Sequence, residues 1–184
     1  MSQDKDAPAA QSMRIGIVGL GRMGGNIARR LMRKGHSCAV YDTQAETVKK
    51  LAQEGAAGAG SLDELVGALP DKPAVVWVML PAGEPTEEAV SRLGERLKPG
   101  DIIIDGGNSF YRDDIRRARQ LKGRGVHYVD VGTSGGVWGL ERGYCMMIGG
   151  DKAVVEHLDP IFVSLAPGRG SIPLTPGREG RDPR

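Results

Sequence analysis

Three glycines, Gly19, Gly21 and Gly24, stand at a spacing that can hold a phosphate. An apolar run, Ile15 to Val18, leads directly into Gly19-x-Gly21-x-x-Gly24, and a helix-forming segment, Asn26–Arg33, follows. Gly19 permits a tight turn, Gly21 lets the backbone approach the phosphates, and Gly24 lets the helix pack against the strand. The N–H groups at the helix start then face an anion. A chance turn is the alternative for an isolated Gly-x-Gly-x-x-Gly, but strand and helix signals on both sides select the pyrophosphate of a dinucleotide.

Asp42 ends the next strand-like run, eighteen residues beyond Gly24. A carboxylate at about that distance accepts hydrogen bonds from the adenosine ribose hydroxyls and repels a 2′-phosphate. No arginine follows it immediately, so NAD is favoured over NADP, with NADP left possible. The competing role for Asp42 is a helix N-cap. Leu80-Pro81-Ala82-Gly83 follows an apolar run and belongs at the carboxyl edge of a sheet, where ligands bind. Asp105-Gly106-Gly107-Asn108-Ser109 brings backbone close to a ligand and offers the Asn108 amide, although Asn108 or Ser109 would also serve as a helix cap. Ser134-Gly135-Gly136, at the end of Asp130-Val131-Gly132-Thr133, is either an anion or carboxylate cradle or a glycine hinge.

The elements that must position these groups alternate. Strand-like runs are Arg14–Val18, Ser37–Tyr41, Ala74–Leu80, Asp101–Ile104, Val126–Val131 and Tyr144–Ile148. Helix-like segments lie between or after them: Asn26–Arg33, Ala45–Glu54, Leu62–Leu69, Glu84–Leu97, Asp113–Lys122 and Lys152–Leu165. Such alternation implies βαβ crossovers in an α/β fold, a doubly wound and mainly parallel Rossmann-type sheet. Gly35, Gly55, Gly100 and Gly123 follow helices, where a left-handed cap is wanted. The expected organisation is a polar lead over residues 1–12, one dinucleotide-binding domain over 13–165, and a flexible Pro/Gly-rich linker over 166–184.

Bulk composition narrows the function. Residues are 40% hydrophobic and 26% charged, ordinary for a soluble globular chain. Aromatics make up only 4%, so the core rests on aliphatic residues and Met. A net charge of +2 without a basic cluster gives no support to nucleic-acid binding. No run is long enough to span a bilayer and the N-terminus has no signal-peptide profile, so a cytoplasmic protein is expected. Cys38 and Cys145 read as buried reduced thiols. His36, His127 and His157 read as structural, and no metal site is expected.

Gly-Leu-Gly-Arg-Met-Gly, Asp-Gly-Gly-Asn-Ser and Thr-Ser-Gly-Gly, in this order, resemble the N-terminal domain of the decarboxylating 6-phosphogluconate dehydrogenases, within the wider β-hydroxyacid dehydrogenase superfamily. The resemblance implies oxidation of 6-phosphogluconate at C3 by a nicotinamide, then loss of carbon dioxide to give ribulose 5-phosphate. It implies that Gly19, Leu20, Gly21, Arg22, Met23 and Gly24 hold the pyrophosphate, with Met23 near the nicotinamide. Asp42, Thr43 and Gln44 then meet the adenosine ribose, and Leu80, Pro81 and Ala82 line the cofactor. Asn108 touches cofactor and substrate, while Ser134, Gly135 and Gly136 bind the sugar acid. NADP-using members carry Asn-Arg where this chain has Asp42-Thr43. The family's acid/base lysine, on a helix with its His-Asn neighbours, has no counterpart here, and neither has the helical domain that forms most of a homodimer. Lys152 does not match that motif, so no catalytic residue is assigned. A 3-hydroxyisobutyrate-type dehydrogenase and a non-catalytic NAD-binding module are the alternatives, and the Asp105–Ser109 motif argues against the former.

Overall fold

The computed structural model describes residues 11–168 and Gly177. Most of the expected lead over 1–12 and of the expected linker over 166–184 therefore lies outside the described residues.

Among the described residues seven strands form one sheet: β1 (Arg14–Val18), β2 (Ser37–Tyr41), β3 (Ala57–Gly58), β4 (Val75–Val78), β5 (Ile102–Asp105), β6 (His127–Ser134) and β7 (Cys145–Gly149). Their order is β3-β2-β1-β4-β5-β6-β7. The first six are parallel, and β7 runs antiparallel to β6. β1, β4 and β5 lie inside the sheet with helices on both faces, which is why Ile-Gly-Ile-Val, Val-Val-Trp-Val and Ile-Ile-Ile-Asp are buried without alternation. The winding reverses between β1 and β4, so a crevice opens there at the carboxyl edge.

On one face α1 (Arg22–Arg33) and α8 (Asp159–Leu165) pack Ile27, Leu31 and Phe162 against β1 and β4. On the other, α3 (Leu62–Gly67), α4 (Glu84–Gly94) and α5 (Tyr111–Lys122) supply Leu65, Leu93 and Leu121. The remaining helices are α2 (Ala45–Gln53), α6 (Gly139–Arg142) and α7 (Lys152–His157), with a 3₁₀ turn at Gly136–Trp138.

Several expectations are corrected. α1 begins at Arg22, not Asn26, so Gly24 and Gly25 lie inside its first turn. Low glycine propensity is overridden there by the tight approach of α1 to the end of β1. The segment 152–165 is two helices, because Pro160 cannot donate the backbone hydrogen bond that would carry one helix through Leu158. After α5 the left-handed residue is Gly125, with φ 73°, while Gly123 has φ −61°. β3 and the short turns over 136–142 carry too few residues for a periodic signal. Cys38 is buried, and burial pushes its thiol up to about 12. Cys145 is exposed on the edge strand instead of buried.

Two buried polar groups fasten α1 and the loop after it to the far end of the chain. Arg30 donates to the carbonyls of Ser164 (3.0 Å), Leu140 (3.1 Å) and Ala166 (2.9 Å). His36 accepts from the Met13 N–H at Nδ1 (3.1 Å), so its Nε2–H faces the Ser164 hydroxyl at 2.8 Å.

Candidate functional site

Two clefts meet at the switch point. The first, about 410 Å³, is lined by Gly19, Asp42, Thr43, Gln44, Leu80 and Pro81, with Leu62, Glu88 and Arg92 across from them. The second, about 450 Å³, is lined by Gly21, Arg22, Met23, Gly24, Leu80, Pro81, Ala82 and Asn108, together with Met79, Gly106, Gly107, Gly132 and Thr133. Leu80 and Pro81 are common to both.

The three glycines differ in what demands them. Gly19 has φ 89°, which other residues rarely adopt. At Gly24 a Cβ would fall on the carbonyl oxygen of Gly19, so no side chain fits. Gly21 has an ordinary φ of −58°, and a Cβ there would meet nothing within 4 Å. Neither backbone strain nor packing explains Gly21, whereas a ligand lying against the start of α1 does. The first turn of α1 contains no acidic residue, and its leading N–H groups have no partner within the helix.

Asp42 bridges two loops. Its Oδ2 accepts from the Leu20 N–H at 2.6 Å and its Oδ1 from the Gln44 N–H at 2.8 Å. The N-cap of α2 is Gln44, so Asp42 stands two residues ahead of the cap. Each oxygen retains acceptor capacity toward the first cleft. Leu20 is buried beneath the glycine turn and contributes its N–H, not its side chain.

Beyond β5, Gly106 packs directly onto the Trp77 indole, where any Cβ would collide. Asn108 is exposed, caps no helix, and among the described residues nothing hydrogen-bonds its amide. Ser134, Gly135 and Gly136 do not line either cleft. Ser134 closes β6 and is exposed, while its neighbours Gly132 and Thr133 reach the second cleft.

Sequence reasoning missed Arg92, which enters the first cleft from α4 and whose guanidinium, among the described residues, is held by a 3.3 Å contact with Glu88. It lies fifty residues from Asp42, and no local pattern marks it. Gly132 and Thr133 were within the motif that ends at Gly136, so their strand was visible but not their inward position. Among the described residues, no cluster of three or more His, Cys, Asp or Glu could hold a metal ion, and no helix is long and apolar enough to cross a membrane.

Residues 14–171 match the family described as the NAD binding domain of 6-phosphogluconate dehydrogenase. An NAD(+)-dependent decarboxylating 6-phosphogluconate dehydrogenase of Haloferax volcanii is 37% identical over 85% of this chain and 51% of its own length. One of Bacillus subtilis is 39% identical over 86% of this chain and 35% of its own length. The Plasmodium falciparum 6-phosphogluconate dehydrogenase structure, which includes complexes with NADP+ and 6-phosphogluconate, superposes with a TM-score of 0.78 at 32% identity, over 87% of this chain and 35% of that one. A Mycobacterium tuberculosis 3-hydroxyisobutyrate dehydrogenase has the same TM-score at 25% identity, over 85% and 53%. The chain thus spans between a third and about half of the proteins it matches.

Proposed function

Because the chain belongs to the family of NAD-binding domains of 6-phosphogluconate dehydrogenase, we propose that it is the coenzyme-holding part of an enzyme that oxidatively decarboxylates 6-phosphogluconate to ribulose 5-phosphate. The observation that carries this reading is the space at Gly21, at the head of α1 and in the crevice where the strand order reverses. A dinucleotide fits that geometry, with adenosine in the first cleft, pyrophosphate over the glycine turn and nicotinamide in the second.

In this assignment Gly19 to Gly24 offer backbone N–H groups to the pyrophosphate. Asp42 accepts from the ribose hydroxyls while its bonds to Leu20 and Gln44 keep it oriented. Leu80, Pro81 and Ala82 wall off water on the shared side of both clefts. The Asn108 amide orients the substrate's polar groups beside Met23, and Ser134, Gly135 and Gly136 take the sugar acid once it is bound. The nicotinamide supplies a hydride acceptor when bound.

NAD is the preferred coenzyme in this reading, since Asp42 would face a 2′-phosphate at the ribose. Calorimetric titration with NAD and with NADP tests it. Tighter binding of NAD is expected, narrowed by Asp42→Asn because the carboxylate that would face a 2′-phosphate is then gone while Arg92, beside Glu88, stays in that cleft. Preference for NADP by the unaltered chain overturns the coenzyme assignment. The 3-hydroxyisobutyrate reading draws on an equal structural likeness, but the Asp105–Ser109 motif and the 37–39% identity to 6-phosphogluconate dehydrogenases favour the sugar phosphate.

A further inference from the structure

The loop that carries Asn108 leaves β5 through Asp105 and enters α5 after Ser109, and a buried charged cluster lies behind it. Asp105 is fully buried and accepts from the Gly107 N–H (2.9 Å), the Ser109 hydroxyl (2.8 Å), the Tyr128 hydroxyl (2.8 Å) and Arg117 Nη1 (3.2 Å). Arg117, whose side chain is 2% exposed, also reaches Ser109 Oγ at 3.1 Å and Glu87 Oε2 on α4 at 2.8 Å. The Tyr128 oxygen is a further 2.8 Å from Asp114 Oδ1. Asp114 Oδ1 also lies 3.7 Å from Arg117 Nη1. Burial pushes the Asp114 carboxyl up, against the bond from the Tyr128 hydroxyl and the charge of Arg117.

Buried ions are costly to desolvate, and apolar packing of similar volume often does as well or better for stability. A cluster of this kind therefore points to a geometric purpose. Its bonds grip the loop on both sides of Asn108, at Gly107 and at Ser109, while among the described residues the Asn108 side chain has no hydrogen-bond partner.

We propose that Arg117 is a positioning residue for the nicotinamide half of the bound dinucleotide, acting through Asp105 and Ser109 to fix the Gly107–Asn108 backbone in the second cleft. This rests on the reading that the dinucleotide spans both clefts. Arg117 lines neither cleft, so its effect reaches the ligand through the loop.

ADP-ribose, which lacks the nicotinamide ring, separates the two halves. Calorimetric titrations with NAD and with ADP-ribose, and a Tm for each protein, are compared for the unaltered chain, Arg117→Met, Arg117→Lys and Tyr128→Phe. Arg117→Met is expected to weaken NAD about tenfold and to leave ADP-ribose within about twofold, with Arg117→Lys recovering part of the loss. Tyr128→Phe, which keeps the ring, is expected to shift the same ratio in the same direction and decides the matter if Arg117→Met does not fold. An unchanged ratio of NAD to ADP-ribose affinity, with or without a lower Tm, overturns the proposal and leaves the cluster a purely stabilising role. Failure of the unaltered chain to bind either ligand overturns the dinucleotide reading itself, and this proposal with it.

Discussion

Gly21 and Gly24 separate folding from ligand binding at the scale of one methyl group. A Cβ at Gly24 has no room against the Gly19 carbonyl, so Gly24→Ala must push α1 away from the end of β1. Overpacking of this sort costs about 3 kcal/mol, a Tm drop of roughly 6–12 °C for a chain this size. At Gly21 the methyl enters open space within an ordinary backbone conformation. Gly21→Ala is expected to leave Tm within roughly 2 °C, since its stability change is only a few tenths of a kcal/mol, and to weaken NAD about tenfold or more, which is about 1.4 kcal/mol. Thermal melts and calorimetry on the pair check this, and equal behaviour of the two variants would refute it. The spacing of these glycines was legible because the motif is local and each residue has a separate steric reason. Arg92 and Arg117 were not legible: both act on groups that only folding brings near them, and arginine is common on solvated helices.

At the scale of elements, the joints that tie β1, α1 and α8 together depend on protonation. His36 stands just before β2, accepts from the Met13 N–H and faces Ser164 on α8. Burial lowers its pKa below the ordinary value, as an imidazolium there would be desolvated. The unfolded chain takes up this proton first as pH falls. The contribution is therefore whole above about pH 6.5 and declines below it. His36→Gln retains the donor toward Ser164 but cannot titrate. Its stability is expected to be lower by about 1 kcal/mol near neutral pH, and its Tm to fall less than that of the unaltered chain between roughly pH 7.5 and 5. His127 and His157 are common to both proteins and cancel in the comparison, so parallel declines would refute the role of His36. Such long-range joints explain what sequence periodicity resolves. The central strands and the middles of the helices follow from hydrophobic runs. By contrast, the start of α1 and the break at Leu158 depend on a backbone contact and on Pro160.

At the scale of the whole molecule, the described residues form a cleft that can take a dinucleotide, and among those lining it no side chain is a general base. Oxidising an alcohol by hydride loss requires a group that takes the hydroxyl proton as the carbonyl forms. The second cleft offers Met23, Met79, Leu80, Pro81, Ala82, Asn108 and Thr133, besides glycine backbone. Among the described residues Arg22 is the one ionisable side chain lining it, and a guanidinium offers N–H donors and no acceptor. Asp105 lies close by in sequence, but it is buried and already engaged by four donors behind the loop. The relatives of known activity extend well past the matched region, and the resemblance assigns their proton-transferring lysine to that further part. This polypeptide alone, given NAD and 6-phosphogluconate, is therefore expected to bind the dinucleotide yet form reduced coenzyme slower than the full-length Bacillus subtilis relative by at least the share that general acid–base catalysis supplies, about 10²–10⁴-fold. Absorbance of the reduced nicotinamide measures the rate, and parallel calorimetry establishes that the coenzyme is bound during the assay. Turnover within about tenfold of the relative would mean that a proton acceptor reaches the second cleft from this chain, and the division between a binding half and a reacting half would have to be abandoned.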